Sequence, residues 1–258
     1  MNEKVKLPSL SLLTWALNEQ DNVEIFLQRA VAFCREISHD FEIIFIDDGS
    51  TDMTLFLTSM HLKNIPQLQI YQHHKNLGVG ESMKTAISKV KKEFFIWQTL
   101  DWSYDFQNIV DNIHYSLEGY ILHGVRSSTL NEAVKSIAQR SDSRLKGLIS
   151  LLNFVLIKLL FQLPFNDFQN VTLYPSEVVK SQKIWSTSSF ASPELLIKCF
   201  NLGHNFLEIP VTFIPRKVGE AKGTKFPRLV ESFIEIIKYR LHYRSPHHHG
   251  SVVSLSDL

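Results

Sequence analysis

Cysteine is nearly missing from this chain: its 258 residues contain only Cys34 and Cys199. Both lie in apolar, helix-like patterns and neither has a CxxC partner, which excludes a disulfide framework and a cysteine-built metal site; buried thiols in a reducing compartment are expected. No run of 18 consecutive apolar residues occurs, so a transmembrane helix is disfavoured. The first seven residues are polar and lysine-bearing with no signal-peptide-like run behind them, and cytosolic synthesis is the expectation. Internal repeats are absent. A net charge of +1 disfavours a nucleic-acid-binding module, the more so because the basic residues are not interleaved with aromatics on a strand pattern.

What is present fits an ordinary globular α/β protein, with 44% hydrophobic and 21% charged residues. The charge is unevenly placed. Between Arg216 and Arg244 stand eight Lys or Arg against three Glu, a net +5, which leaves the remainder near −4. Such a basic end suits an anionic partner: phosphate groups, nucleic acid or a membrane surface.

The chain is organised around residues 42–52. Ile43, Ile44, Phe45 and Ile46 read as a strand buried on both faces, running into Asp47-Asp48-Gly49-Ser50, two carboxylates, a glycine and a residue able to cap a helix. In an open α/β sheet, ligands bind outside the carboxyl ends of the strands, which is where Asp47 and Asp48 would lie. The same four residues are also good turn formers with no further role.

Around this stretch, strand patterns are expected at 7–15, 68–71 and 94–98, with helices at 21–37, at 51–63 and after Asn76-Leu77-Gly78-Val79-Gly80. Asp21 and Glu24 have capping-box spacing, and Val23, Phe26, Leu27, Ala30, Val31, Cys34 and Ile37 make one apolar face. Four β-α alternations with short connections predict a mainly parallel sheet flanked by helices. Further strands are expected at 119–125, 165–174 and 205–214, and a helix at 192–200.

Residues 145–163 form the most apolar stretch, interrupted by Ser150, Asn153 and Lys158; it reads as a core helix or as one dipping into a membrane interface. A last amphipathic helix is expected at 228–243, with Pro227 in its first turn and Leu229, Val230, Phe233, Ile234, Ile237 and Leu241 on one face. The Ser-rich end beyond it, with His247, His248 and His249, reads as a disordered tail.

Five motifs in order carry a resemblance: Trp15-Ala16-Leu17-Asn18-Glu19, Ile46 to Asp52, Asn76-Leu77-Gly78, Leu100-Asp101, and Glu208-Ile209-Pro210-Val211 followed by Arg216-Lys217-Val218-Gly219-Glu220-Ala221-Lys222. Together they resemble family 2 glycosyltransferases of the Rossmann-like GT-A fold, and among these the dolichyl- or polyprenyl-phosphate sugar synthases. The resemblance spans about residues 8–240. It implies that Leu17, Glu19, Asp47, Asp48 and Asp101 hold a nucleotide sugar, that Asp101 binds Mg²⁺ or Mn²⁺, and that Arg126, Arg216 and Lys222 meet phosphates. Asp101 and Arg216 are the implied catalytic residues.

The resemblance also implies one catalytic domain over 1–215, a basic loop and C-terminal amphipathic helix over 216–244, and a tail over 245–258. Departures are visible. Thr99 stands where the family's Asp-x-Asp motif has its first Asp, Trp15 and Leu17 replace a usual Pro and Tyr, and Asp167 to Leu173 replaces an Asp-x-x-Ser-Gly-Phe-Arg pattern. The implied activity is inverting transfer of a sugar to a polyprenyl phosphate at the cytoplasmic face of a membrane, with peripheral membrane contact. A glycan or glycolipid hydroxyl as acceptor, or nucleotide-sugar binding without turnover, are the alternatives. An ionised lipid phosphate needs no strong general base, whereas a hydroxyl does, and only Asp105 and Asp167 stand as candidates for one.

Overall fold

A computed structural model describes residues 5–126, 144–168, 171–214, 226–242 and 250–258. The first half alternates as expected: β1 (Leu7–Ala16), α1 (Val23–Ile37), β2 (Ser38–Asp47), α2 (Thr54–Met60), β3 (Leu68–Gln72), α3 (Val79–Lys89) and β4 (Phe94–Trp97). There follow the short β5 (Tyr104–Asp105), α4 (Gln107–Asp111), α5 (His114–Leu117) and β6 (Ile121–Val125). The second half holds α6 (Arg144–Phe161), β7 (Thr172–Pro175), α7 (Ser176–Lys180), α8 (Ala191–Asn201), β8 (Phe206–Pro210), β9 (Thr212–Phe213), α9 (Phe226–His242) and β10 (Val252–Ser254).

Eight of these strands make one sheet in the order β10-β8-β6-β7-β4-β1-β2-β3, and β5 pairs with β9 apart from it. Only β7 runs against its neighbours β4 and β6; the other pairings in the sheet are parallel. Every residue of β2 from Phe41 to Asp47 is buried, as a central parallel strand covered on both faces requires. From β1 the chain winds out through β2 to β3 and returns to β4 on the other side of β1. The carboxyl ends of β1 and β4 therefore flank the topological switch point, where such sheets open a crevice.

Several expectations need correction. Helix α1 starts at Val23 after a 3₁₀ turn (Gln20–Asn22), and its Asn22 cap makes no side-chain capping bond; Asn22 instead donates to Glu19 at 2.7 Å. Of the strand expected over 165–174 only Thr172–Pro175 forms, because Phe165 and Phe168 turn into an aromatic cluster with Phe200 and Phe206. The run expected over 205–214 divides between two sheets at Pro210-Val211, a break proline favours because it has no N–H for a ladder.

The tail is not disordered throughout. Residues 250–258 are ordered: β10 adds in parallel to the open edge of β8, and Gly250 donates to the Phe200 carbonyl at 2.8 Å. A Cβ on Gly250 would fall 1.8 Å from the His204 carbonyl oxygen, so glycine alone fits there. Residues 243–249, with the three histidines, lie outside the described residues.

The helix over the 145–163 stretch has one side in the core and the other exposed. Asn153, Phe154 and Ile157 are buried, while Leu152, Val155 and Leu159 face outward, Leu159 with 71% of its surface exposed. Helix α9 packs against α6, with Phe161 and Tyr239 rings 5.7 Å apart and Arg240 Nε donating to the Leu160 carbonyl at 2.8 Å. Its buried face is Ser232, Ile236 and Tyr239; Val230, Phe233, Ile234 and Leu241 of the expected apolar face point to solvent. No helix among the described residues is long and apolar enough to cross a membrane.

Candidate nucleotide-sugar site

Three loops at the carboxyl ends of β1, β2 and β3 are locked together by side chains accepting backbone hydrogen bonds. Asn18, held at a φ of 52°, accepts from the Thr51 amide at 2.7 Å and the Asp52 amide at 3.3 Å, while its own amide donates to Ser50 Oγ at 2.9 Å. Glu19 donates its amide to Thr54 Oγ1 at 2.8 Å, and Asp52 accepts from both the amide and the hydroxyl of Thr54. Leu17 links β1 to this knot.

The two adjacent carboxylates play different parts. Asp48 is buried and fully engaged: Oδ1 accepts from the Leu77 amide at 2.9 Å and lies 2.7 Å from His73 Nδ1, and Oδ2 accepts from the Gly78 amide at 2.9 Å. His73 Nε2 in turn meets Thr85 Oγ1 of α3 at 3.0 Å. Asp47 is also buried, but its Oδ2 receives only the Ser50 amide at 3.3 Å and its Oδ1 has no hydrogen-bond partner. Gly49, at φ 74°, lets this loop press on Lys75, whose carbonyl carbon would be 2.5 Å from an added Cβ.

Asp101 follows β4 in a turn closed by Trp102, at φ 53°, donating to the Thr99 carbonyl at 2.9 Å. Its Oδ1 accepts from Ser103 Oγ at 2.5 Å. The Thr99 hydroxyl accepts from the Ser103 amide at 3.2 Å, so this residue shapes the turn that presents Asp101. Among the described residues, no group of three or more His, Cys, Asp or Glu side chains is placed to hold a metal ion. Asp101 fits a hard divalent cation as a single carboxylate, which suffices when phosphate oxygens supply other ligands.

Arg126, after β6, forks onto Asp167, with Nε to Oδ2 at 2.5 Å and Nη2 to Oδ1 at 2.7 Å. Burial alone lowers the Arg126 pKa, but the paired carboxylate outweighs it and the guanidinium is held charged above its ordinary value. Asp105 is exposed and accepts from the Gln107 amide, at the start of α4, at 2.9 Å. Arg216 and Lys222 lie outside the described residues. Glu208 accepts from the Asn166 amide and side chain at 2.7 and 2.6 Å, tying the segment before β7 to β8.

At the switch point, Trp15 and Trp97 with Val79, Met83, Ser188, Ser189, Ala191 and Ser192 line a cleft of about 140 Å³. Sequence reading missed its far wall, Ser188 and Ser189, and also missed His73. The signal for His73 was register: Asp47 pairs with Gln72, so the residue after each strand faces the other. No local pattern marked the wall.

Residues 11–113 match the family described as Glycosyl transferase family 2. An undecaprenyl-phosphate 4-deoxy-4-formamido-L-arabinose transferase of Yersinia enterocolitica is 26% identical over 143 residues, 54% of this chain and 43% of that protein. A dolichyl-phosphate beta-glucosyltransferase of Dictyostelium discoideum is 23% identical over 247 residues, 91% of this chain and 74% of that protein. This chain thus spans less than half the length of the first relative.

Solved structures share the fold at low identity. A mannosyltransferase of Pyrobaculum calidifontis, in complex with GDP-Man and Mn²⁺, matches with a TM-score of 0.58 and 12% identity over 93% of this chain and 68% of that one. A glucosyl-3-phosphoglycerate synthase of Mycobacterium tuberculosis, in complex with Mn²⁺, UDP and phosphoglyceric acid, matches with 0.60 and 13% over 92% and 80%. Residues 11–113 thus match the family 2 glycosyltransferase model, and the chain shares the GT-A fold of these solved structures.

Proposed function

We propose that this chain transfers a hexosyl group, with inversion, from a nucleotide-sugar donor to a polyprenyl phosphate at the cytoplasmic face of a membrane. The observation that carries the reading is the knot of loops at the carboxyl ends of β1, β2 and β3, set within the matched family 2 domain. Asp47 offers a buried acceptor oxygen in need of a donor, and the N–H of a base or a ribose hydroxyl is such a donor. Asp101 would hold Mg²⁺ or Mn²⁺, which supplies charge neutralisation to the leaving diphosphate. Arg216 and Lys222 would add cationic contacts to the same phosphates.

Two further observations support a lipid phosphate as acceptor. Both relatives described above are named for polyprenyl-phosphate acceptors. Of the two candidates for a general base, Asp167 is forked by Arg126 and Asp105 accepts from the Gln107 amide, whereas an ionised phosphate nucleophile needs no base. The outward apolar residues of α6 and α9, together with the net +5 charge of the 216–244 sequence, suit peripheral contact with an anionic lipid surface. Binding without turnover is the second reading, favoured by Thr99 serving the turn rather than carrying a second carboxylate.

The test is a panel of UDP- and GDP-sugars incubated with a polyprenyl phosphate in detergent micelles, with Mg²⁺ or Mn²⁺, read as sugar transferred to the lipid fraction. Transfer from at least one donor supports the proposal. Nucleoside diphosphate binding without transfer to phosphate or hydroxyl acceptors leaves the binding module in its place.

A further inference from the structure

Glu235 lies on the inner side of α9, far in sequence from the acidic loops, and the proposed chemistry makes no use of it. Its carboxylate gathers four hydrogen bonds from one short segment. Oε1 accepts from the amide and hydroxyl of Thr187 at 2.9 and 2.8 Å, and Oε2 accepts from the amide and hydroxyl of Ser188 at 3.1 and 2.6 Å. Next to it, Ser189 Oγ donates to Ser232 Oγ at 3.3 Å and Phe190 packs edge-on against Tyr239.

The other side of this clamped segment bears on α3. The Thr187 carbonyl accepts from the Gly80 amide at 3.0 Å, in the first turn of α3. The approach is close enough that a Cβ on Gly80 would lie 2.4 Å from the Thr187 carbonyl carbon. Immediately before this turn stand Leu77 and Gly78, whose amides meet Asp48. A series of hydrogen bonds, carboxylate to backbone at each end and backbone to backbone between, thus joins α9 to the acidic loop.

We propose that Glu235 is a positioning residue: from α9 its carboxylate fixes Thr187 and Ser188, these fix the start of α3, and the start of α3 sets the Leu77 and Gly78 amides on Asp48. The same clamp holds the Ser188 and Ser189 wall of the cleft against Trp15 and Trp97. The role at the nucleotide rests on the function proposed above; the role at the turn does not. Burial raises the Glu235 pKa, and the Ser188 and Thr187 hydrogen bonds outweigh it to hold the carboxylate below its ordinary value, as a carboxylate saturated with donors should be.

Hydrogen exchange on the full chain tests this, comparing the unmodified protein with Glu235→Ala, Glu235→Gln and Lys238→Ala. Lys238 is exposed on the same helix and serves as the control. In Glu235→Ala, exchange should rise at least tenfold both at 186–189 and at 77–80, with β1 and β2 unchanged. Glu235→Gln keeps one acceptor oxygen and should fall between, which preserves the test if the alanine variant does not fold. Faster exchange at 186–189 with 77–80 unchanged overturns the proposal.

UDP and GDP affinities separate the two levels. A tenfold or greater loss in Glu235→Ala, appearing in KM more than in kcat, supports positioning of the nucleotide side. If the unmodified chain binds neither UDP nor GDP, the proposed function falls, and the exchange comparison still decides the role at the turn.

Discussion

Asp48 and Asp47 are adjacent, alike and buried, yet replacing each with asparagine should give opposite results. Asp48 accepts from the Leu77 and Gly78 amides and contacts His73. Asparagine has one acceptor oxygen; if it serves Leu77, its NH₂ faces the Gly78 amide, donor against donor. Orphaning one buried amide costs about 1–3 kcal/mol, and the surviving bond loses its charge assistance, so about 3 kcal/mol is expected for Asp48→Asn. At about 2–4 °C per kcal/mol for a chain near this size, Tm should fall by about 6–12 °C. Asp47 has one long bond at 3.3 Å and an unpartnered oxygen, so Asp47→Asn removes a poorly compensated buried charge. Its effect on Tm should stay within about 3 °C in either direction. Nucleoside diphosphate affinity should nevertheless fall in Asp47→Asn, because the acceptor offered to the ligand has changed. Thermal unfolding followed by circular dichroism, with calorimetric titration of UDP and GDP, measures both quantities. Equal Tm losses in the two variants, or a larger loss for Asp47→Asn, would refute the division of labour.

Four other outcomes follow from the same contacts. Gly49→Ala combines a left-handed φ with a Cβ 2.5 Å from the Lys75 carbonyl carbon and should cost more than about 2 kcal/mol in urea unfolding; a loss under about 0.5 kcal/mol would mean the loops are not pressed together. Thr99→Asp should tighten Mn²⁺ binding and Asp101→Asn should abolish metal-stimulated turnover, whereas full turnover of the unmodified chain in chelator removes the metal from the mechanism. Because Glu235 is held below its ordinary pKa, its contribution is present above the unfolded carboxylate value and disappears as pH falls through the folded one; the Tm gap between the unmodified chain and Glu235→Gln should therefore close on acidification below about pH 4, and a constant gap contradicts it. The chain should sediment with anionic vesicles at low salt and be released as salt rises, and Leu159→Ser with Leu241→Ser should weaken that binding; protein left in the supernatant at low salt refutes membrane contact.

The first half of the fold was legible because its signals are local. A run such as Ile43 to Ile46, short, β-branched and aromatic, reads as a strand buried on both faces, and the 3.6-residue period through Val23, Phe26, Leu27 and Ala30 names the buried side of α1. The second half depends on pairings made at a distance. Nothing in Val252-Val253-Ser254 marks it as a strand until the edge of β8 is present to receive it. For α9 the period was right and the side was wrong, since one rich apolar stripe and a mixed one share the helix and the mixed one, Ser232, Glu235, Ile236 and Tyr239, meets the protein. Motif order brought Asp47, Asp48 and Asp101 to the same sheet edge, but it could not tell a carboxylate saturated by backbone amides from one left with an unpartnered oxygen.

That difference bears on the electrostatics of the proposed reaction. An acidic sheet edge is a poor host for a diphosphate unless its negative charge is already answered. Here Asp48, Asp52 and Glu235 accept from backbone amides or hydroxyls of neighbouring loops, and Asp167 is neutralised by Arg126. Hydrogen bonds from fixed donors lower the field such groups project while they rigidify the loops that carry them, so the work of building the site also reduces repulsion toward the donor. The charge that remains to be balanced is that of the leaving diphosphate itself. With Thr99 in place of a second carboxylate, a bound cation would carry more net positive charge toward that diphosphate but be held less tightly, which shifts the load toward cationic side chains. On the function proposed, Arg216 and Lys222 should then matter more to turnover here than in a relative with both carboxylates, and alanine at either position should raise the Mn²⁺ concentration needed for half-maximal rate. A requirement for Mn²⁺ that is the same in both variants as in the unmodified chain would show that metal and side chains do not share the phosphate charge.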